Sequence, residues 1–590
     1  MKIIQELSLS GKIWVKYPEN NDLSNKATEI YNISPIVAKI LINRGVALEE
    51  ISAFLSPKLK DQMKDPHLIK DVKEGCELLY ESLNQKDKIV ILGDYDVDGI
   101  TSTSILYKYL QNLKADVNYY LPDRYSQGYG ISFKALEKIF ENKPNLIILL
   151  DNGSTAYEEI AFLRERKIKV MVIDHHAIDI KQLQANVFIN PNRLDDSSNK
   201  NYLCTAGLTF LFLVAFHRFL INQGFFNKNN ITPENLMSYL DLVALGTICD
   251  MVPLKLLNRA FVAQGIKVIQ QNDRISLRIL SATLAITKQI DVETVGYSFG
   301  PCINAGARMG DSNLPLRLLL SDNELEAKEL ALQLIELNNR RKQEEDKIIQ
   351  TAIEEIKESS LHDYNIIFIG SVHWLSGIVG IIAGRVKEIY NKPVCIFNID
   401  KKTGLATGSG RSVAGIDLGE IIIGAKQQGL LTKGGGHSQA VGFSFEINKQ
   451  QQLFEFFNKR ISQLLKLKEN LKTSLIIDEV IPINFINQGV VEKILSLEPF
   501  GINFPEPLFM LSQVKIYDVR QIGGNKNHLA LTISDGFKYI LKGFCYKCLP
   551  GSLGESLINK NNSFVNLVVS LKLNFYQGRY YTNLIIKDIA

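Results

Sequence analysis

Residues 90–104 read VILGDYDVDGITSTS, an apolar run that leads into three alternating aspartates and a glycine. Alternate residues of an extended chain project to the same side, so we expect the carboxylates of Asp94, Asp96 and Asp98 to converge. Negative charges at close range repel one another unless a cation lies between them or water surrounds them. The segment therefore predicts either a cation site or a solvated loop.

The pattern around this segment predicts a parallel sheet. Short apolar runs alternate with stretches of helical periodicity between about residues 85 and 190. Such alternation is typical of an α/β fold in which helices cover both faces of the sheet. Ligands of these folds bind at the carboxyl ends of the strands, so residues that follow the apolar runs are the first candidates for a site.

The 590 residues are too many for one hydrophobic core. After the first sheet, the pattern predicts a long charged helix without Gly or Pro, a second α/β unit, and a tail of short strands typical of a small β-barrel. We divide the chain into a helical lead-in (1–80), an α/β domain with the parallel sheet (81–320), a connecting helix (321–358), a second α/β domain (359–465) and an OB-like barrel (466–590).

The composition predicts a cytoplasmic protein without a membrane partner. No apolar run reaches the ~20 residues that span a bilayer. The longest, 208–221, contains His217 and Arg218 and is predicted to be a buried helix. The seven cysteines are scattered, and we interpret the lone CxxC pair, Cys545 and Cys548, as ordinary strand thiols. A net charge of +4 favours a nucleic-acid partner only weakly.

Further acidic and imidazole side chains follow apolar runs, of which the run before Asp250 belongs to the predicted helical region and the others predict strands. Asp151 lies in LLDNG, the triplet Asp174-His175-His176 lies in VIDHH, and Asp250 lies in GTICDMVPL. Oxygen ligands with one or two imidazoles suit Mn²⁺ or Mg²⁺ better than zinc. Because four or five carboxylates exceed the needs of one ion, we expect two ions that share a bridging carboxylate. A calcium loop is disfavoured because its later acidic ligand is absent.

These segments together resemble the core motifs of the DHH phosphoesterase superfamily, which is named for the triplet at residues 174–176. Four further segments narrow the resemblance to the RecJ family of single-strand-specific exonucleases: PDRYSQGYG, GPCINAGARMG, GSGRS and GGGHSQAVGFS. The resemblance extends over about residues 80–590. It implies that 81–320 is the DHH catalytic domain and that 359–465 is the DHH-associated domain.

The resemblance also implies roles for individual residues. The implied metal ligands are Asp96, Asp98, Asp151, His175 and Asp250, with Asp151 bridging. Two further residues are implied in catalysis: His176 would face the scissile phosphate, and Asp94 would support the site. The implied substrate-binding residues are Arg124, Asn304, Arg308, Arg411, Ser412, Gly435, Gly436 and His437. Arginine suits phosphate because it makes bidentate contacts, and a glycine-rich segment lets backbone N–H groups approach an anion.

The implied activity is hydrolysis of single-stranded DNA from the 5′ end to 5′-mononucleotides, by metal-activated water, in DNA recombination and repair. The barrel would bind the incoming strand on basic and aromatic residues such as Lys515, Tyr517, Phe575 and Tyr580. The expected partners are single-stranded DNA, a single-strand-binding protein and a helicase, and we expect a monomer.

Two other hypotheses remain open. A small-molecule phosphatase, such as a dinucleotide phosphodiesterase or pyrophosphatase, would use the same catalytic domain but would not need the barrel. A strand-binding scaffold would require a lost metal ligand, and every ligand is present. The chain also departs from the family pattern: Leu375 stands where His is common, Cys302 where Arg is common, and Phe504 where Asn is usual in the segment LEPFGINFPEPLF.

Overall fold

A computed structural model describes residues 1–5, 7–125, 127–179, 181–467 and 474–590 of the chain. The chain forms two compact units. We call Ser56–Lys342 together with Pro499–Pro505 the central unit. The remainder, Met1–Leu55, Gln343–Glu498 and Glu506–Ala590, is the terminal unit.

The central unit contains a sheet of five strands, all parallel. In spatial order the strands are Val117–Tyr120, Ile89–Gly93, Leu146–Leu150, Lys169–Ile173 and Val187–Ile189. Along the second of these, Ile89 and Ile91 enter one hydrophobic cluster while Val90 and Leu92 enter another. The alternation shows that apolar side chains cover both faces of the sheet, as the sequence predicts.

The helices of the central unit supply these two clusters. They are Leu59–Gln62, Val72–Gln85, Val97–Asn112, Phe133–Ile139, Tyr157–Glu165, Thr205–Asn222, Phe225–Asn229, Leu240–Cys249, Leu256–Gln271, Ile275–Thr283, Val292–Thr294, Gly300–Arg308 and Leu314–Leu320. Among the described residues, only Thr205–Asn222 is long and apolar enough to cross a bilayer, and 72% of it is buried inside the protein. It is therefore a core helix, as expected for the apolar run at 208–221.

The second α/β domain lies in the terminal unit and has a mixed sheet. Its strands, in spatial order, are Lys433–Gly436, Ala440–Glu446, Leu405–Arg411, Val394–Ile399 and Ile367–Ser371, of which only the last two are parallel. Its helices are Val379–Tyr390, Leu418–Gln427 and Gln450–Leu467. The predicted connecting helix is Glu324–Glu358, and the division between the units falls inside it.

The C-terminal strands close into a barrel, which confirms the predicted OB-like fold. The barrel order is Phe509–Ile522, His528–Ser534, Ile540–Cys545, Arg579–Ile589 and Phe564–Tyr576, and the first strand also pairs with the last. The short strand Glu479–Val480 pairs with the first strand, and the helices Gln488–Leu495 and Ser552–Asn559 accompany the barrel. The predicted boundary at 465/466 lies beside residues 468–473, which fall outside the described residues.

The prediction of a helical lead-in is wrong for residues 2–5 and 13–16. Lys2–Gln5 and Ile13–Lys16 are strands, and Ile13–Lys16 pairs in parallel with Ser474–Ile477. A partner strand that distant in sequence leaves no local signal. Helices follow only from Asn21–Tyr31, with Pro35–Asn43 and Ile51–Leu55 after it.

A buried ion pair fixes this segment within the terminal unit. The guanidinium of Arg44 donates to both carboxylate oxygens of Asp478 at 2.6 and 2.7 Å. The two side chains are 5% and 1% exposed. Nearby, the indole nitrogen of Trp14 donates to Asp588 at 2.7 Å. These contacts join residues 1–55 to the residues around the barrel.

We expect Arg44→Ala to lower the free energy of unfolding of the terminal unit by ~3–5 kcal/mol, because it leaves the Asp478 carboxylate buried without its partner. The matched control is Arg385→Ala, which removes an ion pair to the exposed Glu388 and should cost at most ~1 kcal/mol. Urea denaturation followed by circular dichroism measures both. Equal losses in the two variants would contradict the structural role of the buried pair.

Candidate metal centre

Three neighbouring strands of the parallel sheet end in aspartates. Asp94 follows Ile89–Gly93, Asp151 follows Leu146–Leu150, and Asp174 follows Lys169–Ile173. Because parallel strands end at the same edge, the three carboxylates meet there. Asp151 adopts φ 62°, a conformation that non-glycine residues rarely take and that is common at functional sites.

The next helix, Val97–Asn112, begins at this edge. Asp96 caps it by accepting a hydrogen bond from the backbone N–H of Gly99 at 3.0 Å. Asp98 lies in its first turn and is buried. The fifth element is the helix Leu240–Cys249, whose C-cap residue is Asp250.

Side-chain ligand atoms from these elements form three overlapping groups. In each group, all three atoms lie within 4.8 Å of one another; the groups are Asp151–His175–His176, Asp98–His175–Asp250 and Asp94–Asp96–Asp151. The Nε2 atom of His175 lies 3.4 Å from Asp151 Oδ1, 3.5 Å from Asp250 Oδ2 and 3.9 Å from Asp98 Oδ2. Two ligands ~2.1 Å from one small cation are themselves separated by ~3–4 Å, so the spacing suits a shared ion. The structure thus brings together all seven residues predicted for metal binding and catalysis.

Several of these atoms are buried without a hydrogen-bond partner. Among the described residues they include Asp94 Oδ1, His175 Nε2 and Asp250 Oδ2. Buried polar atoms in folded proteins are nearly always paired, and leaving one unpaired costs ~1–3 kcal/mol. A cation among the three groups would satisfy these atoms, so the residues fit a metal ion.

The electrostatics lead to the same conclusion. Burial raises the pKa of Asp94, Asp98 and Asp151, and neighbouring carboxylates raise these values further. Burial and the charge of Asp98 raise the pKa of Asp250 to about 9. Without a cation, it is therefore unfavourable for all the carboxylates of the site to be ionised at once.

The two histidines have different surroundings. Burial lowers the pKa of His175, which favours the neutral imidazole that binds metals. Burial opposes protonation of His176 as well, but the hydrogen bond and charge of Asp174 outweigh it and raise the pKa of His176 to about 9. The Nδ1 of His176 donates to Asp174 at 2.7 Å, and the ring is partly exposed. In the metal-free protein these contacts favour the protonated form of His176 at neutral pH.

Sequence reasoning missed a layer of groups that orient the ligands. The backbone N–H groups of Thr205 and Ala206, at the start of the helix Thr205–Asn222, donate to Asp98 at 2.6 and 2.9 Å. The hydroxyl of Thr205 donates to Asp151 Oδ1 at 2.8 Å. A helix N-terminus stabilises a carboxylate in this way. The sequence feature that could have indicated this contact is Thr205, three residues before the longest apolar run.

Asp174, Tyr129 and Asn192 complete this layer. Asp174 accepts from the backbone N–H groups of His175 and His176 at 2.8 and 3.2 Å. Tyr129 donates to the backbone carbonyl of Asp151 at 2.8 Å. Asn192 donates to the carbonyl of His175 at 2.6 Å. Each contact fixes the backbone that carries a predicted ligand.

The substrate-binding residues predicted in the central unit lie on two neighbouring elements. The guanidinium of Arg124 lies 5.3 Å from the ring of Tyr95, within the aspartate segment. The hydroxyl of Tyr125 donates to the carbonyl of Arg308. Asn304 and Arg308 lie one turn apart on the helix Gly300–Arg308 and share a face. Both predicted arginines therefore lie close to Tyr95, which is between Asp94 and Asp96 in the metal centre.

Cys302, on the same helix, is fully buried, and burial raises its pKa to about 12. The side chain at this position thus belongs to the core of the central unit. The Cys302 side chain is therefore not exposed to a ligand.

The substrate-binding residues predicted in the terminal unit lie together at one end of its sheet. Arg411 pairs with Ala440 across the strands, and the backbone N–H of Ser412 donates to the carbonyl of Gln439 at 3.0 Å. His437 is exposed in the turn that follows the strand Lys433–Gly436. The hydroxyl of Ser412 is buried and donates to the carbonyl of Ile416 at 2.7 Å, so it holds its own loop.

The glycine-rich strand Lys433–Gly436 is exposed to solvent at Gly435 and Gly436. A Cβ atom at Gly435 would meet nothing within 4 Å, whereas one at Gly436 would lie 2.4 Å from the carbonyl oxygen of Ala440. Gly436 also has φ +137°, so only glycine fits there. The backbone at Gly435 and Gly436 is exposed, and the binding of an anion by this segment stays a prediction.

The fold and site define a class, the metal-dependent phosphoesterases of the DHH type. Residues 88–247 match the family described as "DHH family, N-terminal domain". Residues 363–463 match the DHHA1 domain, and residues 477–588 match the RecJ OB domain.

Individual relatives narrow the class. The single-stranded-DNA-specific exonuclease RecJ of Bacillus subtilis (strain 168) is 30% identical over 98% of this chain and 70% of its own length. The enzyme of that name from Haemophilus influenzae is 33% identical over 80% of this chain and 82% of its own length. The crystal structure of RecJ in complex with Mn²⁺ from Thermus thermophilus superposes with a TM-score of 0.78 at 26% identity, over 98% of this chain and 78% of that one. The chain belongs to the RecJ family of single-stranded-DNA-specific exonucleases.

We expect Asp151→Asn to stabilise the metal-free protein and to abolish stabilisation by Mn²⁺. The buried Asp151 carboxylate has a raised pKa, so as pH rises above ~4 the metal-free fold loses stability. The Asp250 carboxylate, with a pKa of about 9, extends this loss to pH ~9. The asparagine carries no charge and still accepts from Thr205.

Thermal unfolding at pH 8, with chelator or with Mn²⁺, measures the effect. At 100 Kd, Mn²⁺ should stabilise the wild-type protein by ~2.7 kcal/mol, or ~5–10 °C in Tm. Asp417→Asn is the control, because it exchanges one N-cap residue for another outside the site. An equal Mn²⁺ shift in Asp151→Asn and the control would contradict the assignment.

Proposed function

We propose that the protein degrades single-stranded DNA from its 5′ end and releases 5′-mononucleotides, with Mn²⁺ or Mg²⁺ as cofactor. The observation that carries the proposal is the convergence of Asp98, Asp151, His175 and Asp250 at one sheet edge, with buried ligand atoms that lack hydrogen-bond partners. Membership of the RecJ family supports the strand specificity. The polarity rests on the family resemblance.

In this proposal, the residues that would hold two ions are Asp96, Asp98, Asp151, His175 and Asp250. Bound there, divalent ions would lower the pKa of a water molecule and neutralise charge on a phosphodiester.

The other residues bind and orient the substrate. His176 is partly exposed beside Asp151, and its hydrogen bond to Asp174 orients the ring, so it suits a contact with the anionic scissile phosphate. Asp94 lies in the group with Asp96 and Asp151 and would support or share an ion. We assign phosphate binding to Arg124, Asn304, Arg308, Arg411, Ser412, Gly435, Gly436 and His437. For Ser412 the backbone is the available group, since its hydroxyl is committed to Ile416.

The barrel surface favours a nucleic-acid strand over a small substrate. Tyr517, Phe575 and Tyr580 are 43%, 64% and 53% exposed. The ammonium of Lys515 lies 4.8 Å from the ring of Tyr517 and 6.0 Å from that of Phe564. Exposed aromatic rings beside basic groups stack bases and attract phosphates. A dinucleotide phosphodiesterase or pyrophosphatase, the alternative within the superfamily, would have no use for this surface.

We further propose a cytoplasmic, monomeric enzyme of DNA recombination and repair that works with a single-strand-binding protein and a helicase. All seven cysteines are free thiols, which suits a reducing compartment. The domain assignment follows: lead-in 1–80, DHH catalytic domain 81–320, connecting helix 321–358, DHH-associated domain 359–465 and nucleic-acid-binding barrel 466–590.

We expect an oligonucleotide labelled at its 5′ end to release labelled mononucleotide at once, whereas a 3′ label should persist in long products. Chelator should abolish both reactions. Asp151→Ala should bind the strand but cut it more than ~100-fold more slowly, since loss of even an indirect partner of a metal ligand costs ~10–100-fold. Gel electrophoresis of timed samples and fluorescence anisotropy measure cutting and binding.

Two results would reject the proposal. Nuclease activity of Asp151→Ala equal to wild type would remove the metal centre from catalysis. Faster turnover of a dinucleotide than of the strand, with Mn²⁺ present, would favour the small-substrate alternative.

We expect Tyr517→Ala to weaken binding of a single strand by ~1–3 kcal/mol, about 5- to 150-fold, because one stacked base loses its platform. Leu325→Ala, which shortens an exposed aliphatic side chain on the long helix, is the control and should bind as wild type. Fluorescence anisotropy at fixed salt measures both. Wild-type affinity in Tyr517→Ala would exclude this ring from the strand-binding surface.

A further inference from the structure

Residues 499–505, which we call the linker segment, precede the first long barrel strand in sequence but pack in the central unit. They form a tight turn. Gly501 and Phe504 exchange backbone hydrogen bonds of 2.9 and 3.1 Å, and Asn503 between them has φ +68°. The linker segment is therefore an ordered element with its own shape.

The turn lies directly on Leu254. The backbone N–H of Leu254 donates to the carbonyl of Ile502 at 3.0 Å. A Cβ atom at Gly501 would lie 2.6 Å from Leu254 Cδ1 and 2.9 Å from Cγ. Leu254 is buried, so it has little space in which to retreat. Glycine at 501 is what allows the close approach.

Arg259 anchors the linker segment from the other side. Its side chain is only 2% exposed. Its Nη1 donates to the carbonyl of Pro499 at 2.8 Å, and its guanidinium lies 5.6 Å from the ring of Phe504. A buried guanidinium is costly unless such contacts satisfy it. Phe504 thus has a specific partner in this chain.

Leu254 is four residues from the metal ligand Asp250. Between them, Met251 adopts φ 57°, and the carbonyl of Pro253 accepts from Asn258 Nδ2 at 3.0 Å. The same amide donates to the carbonyl of Tyr202 at 2.6 Å. Asp250 Oδ2 is buried and has no hydrogen-bond partner. The backbone from Asp250 to Leu254 therefore helps to determine where this carboxylate oxygen lies.

We propose that the linker segment positions Asp250 for metal binding, acting through Leu254, with Gly501 and Arg259 as positioning residues. The inference rests on the proposed metal-dependent function. Under this proposal, the affinity for metal depends on a segment that is distant from the metal ligands in sequence and adjacent in sequence to the barrel.

The test compares Gly501→Val with wild type in the full chain. Titration with Mn²⁺ followed by electron paramagnetic resonance measures free Mn²⁺ and needs no catalysis. We expect ~10-fold weaker Mn²⁺ binding, at the lower end of the range for indirect partners of metal ligands. At fixed subsaturating Mn²⁺, kcat on a single strand should fall while KM is unchanged. Gly384→Ala, where a Cβ meets nothing within 4 Å, is the matched control and should equal wild type.

Arg259→Lys keeps the charge but not the planar guanidinium, and it should give an intermediate loss of Mn²⁺ affinity. If Gly501→Val fails to fold, the Mn²⁺ affinity of Arg259→Lys alone tests the proposal. Wild-type Mn²⁺ affinity and kcat in the folded variants, with only a lower Tm, would overturn the proposal. Absence of Mn²⁺ binding by the wild-type protein would instead reject the proposed function itself.

Discussion

Repulsion among buried carboxylates is the constraint on which this structure depends. The apolar strands of the central sheet carry Asp94, Asp151 and Asp174 to one edge. Burial raises the pKa of the first two, whereas the hydrogen bonds and charge of His176 outweigh burial and lower the pKa of Asp174. Without counter-charge, such a cluster would destabilise the fold. A divalent cation turns the same cluster into a binding site.

Fixed dipoles of the protein, as well as divalent ions, reduce the repulsion among the carboxylates. The start of the helix Thr205–Asn222 directs two N–H groups at Asp98 and a hydroxyl at Asp151. These groups fix the orientations of the two carboxylates: each oxygen of Asp98 accepts one N–H group, and Asp151 Oδ1 accepts the hydroxyl. Orientation of ligands by surrounding hydrogen-bond partners is a general property of metal sites, and loss of one such partner typically costs ~10–100-fold in metal affinity or activity.

The sequence predicted much of the fold and of the site because the signals are local. Buried parallel strands read as continuous apolar runs, and aspartates directly after them locate the edge of the sheet. The failures are contacts between residues distant in sequence. The strand Ile13–Lys16 depends on Ser474–Ile477, and Thr205 acts on aspartates that precede it by more than one strand. Neither pairing leaves a periodic trace in the chain.

The buried hydroxyl of Ser412 shows a second limit. A motif places a residue at a site, but the direction of its side chain follows from the loop around it. Likewise, the sequence shows Phe504 only as a departure from the family pattern, whereas the structure shows its contact with Arg259. Motifs thus locate chemistry well, whereas packing decides which atoms take part.

Anomalous scattering from crystals grown with Mn²⁺ tests the central claim most directly. The account predicts two peaks, ~3.5–4 Å apart, among the carboxylates at the sheet edge and His175. A map collected at the manganese edge with no peak there, while Mn²⁺ occupies other positions, would contradict it.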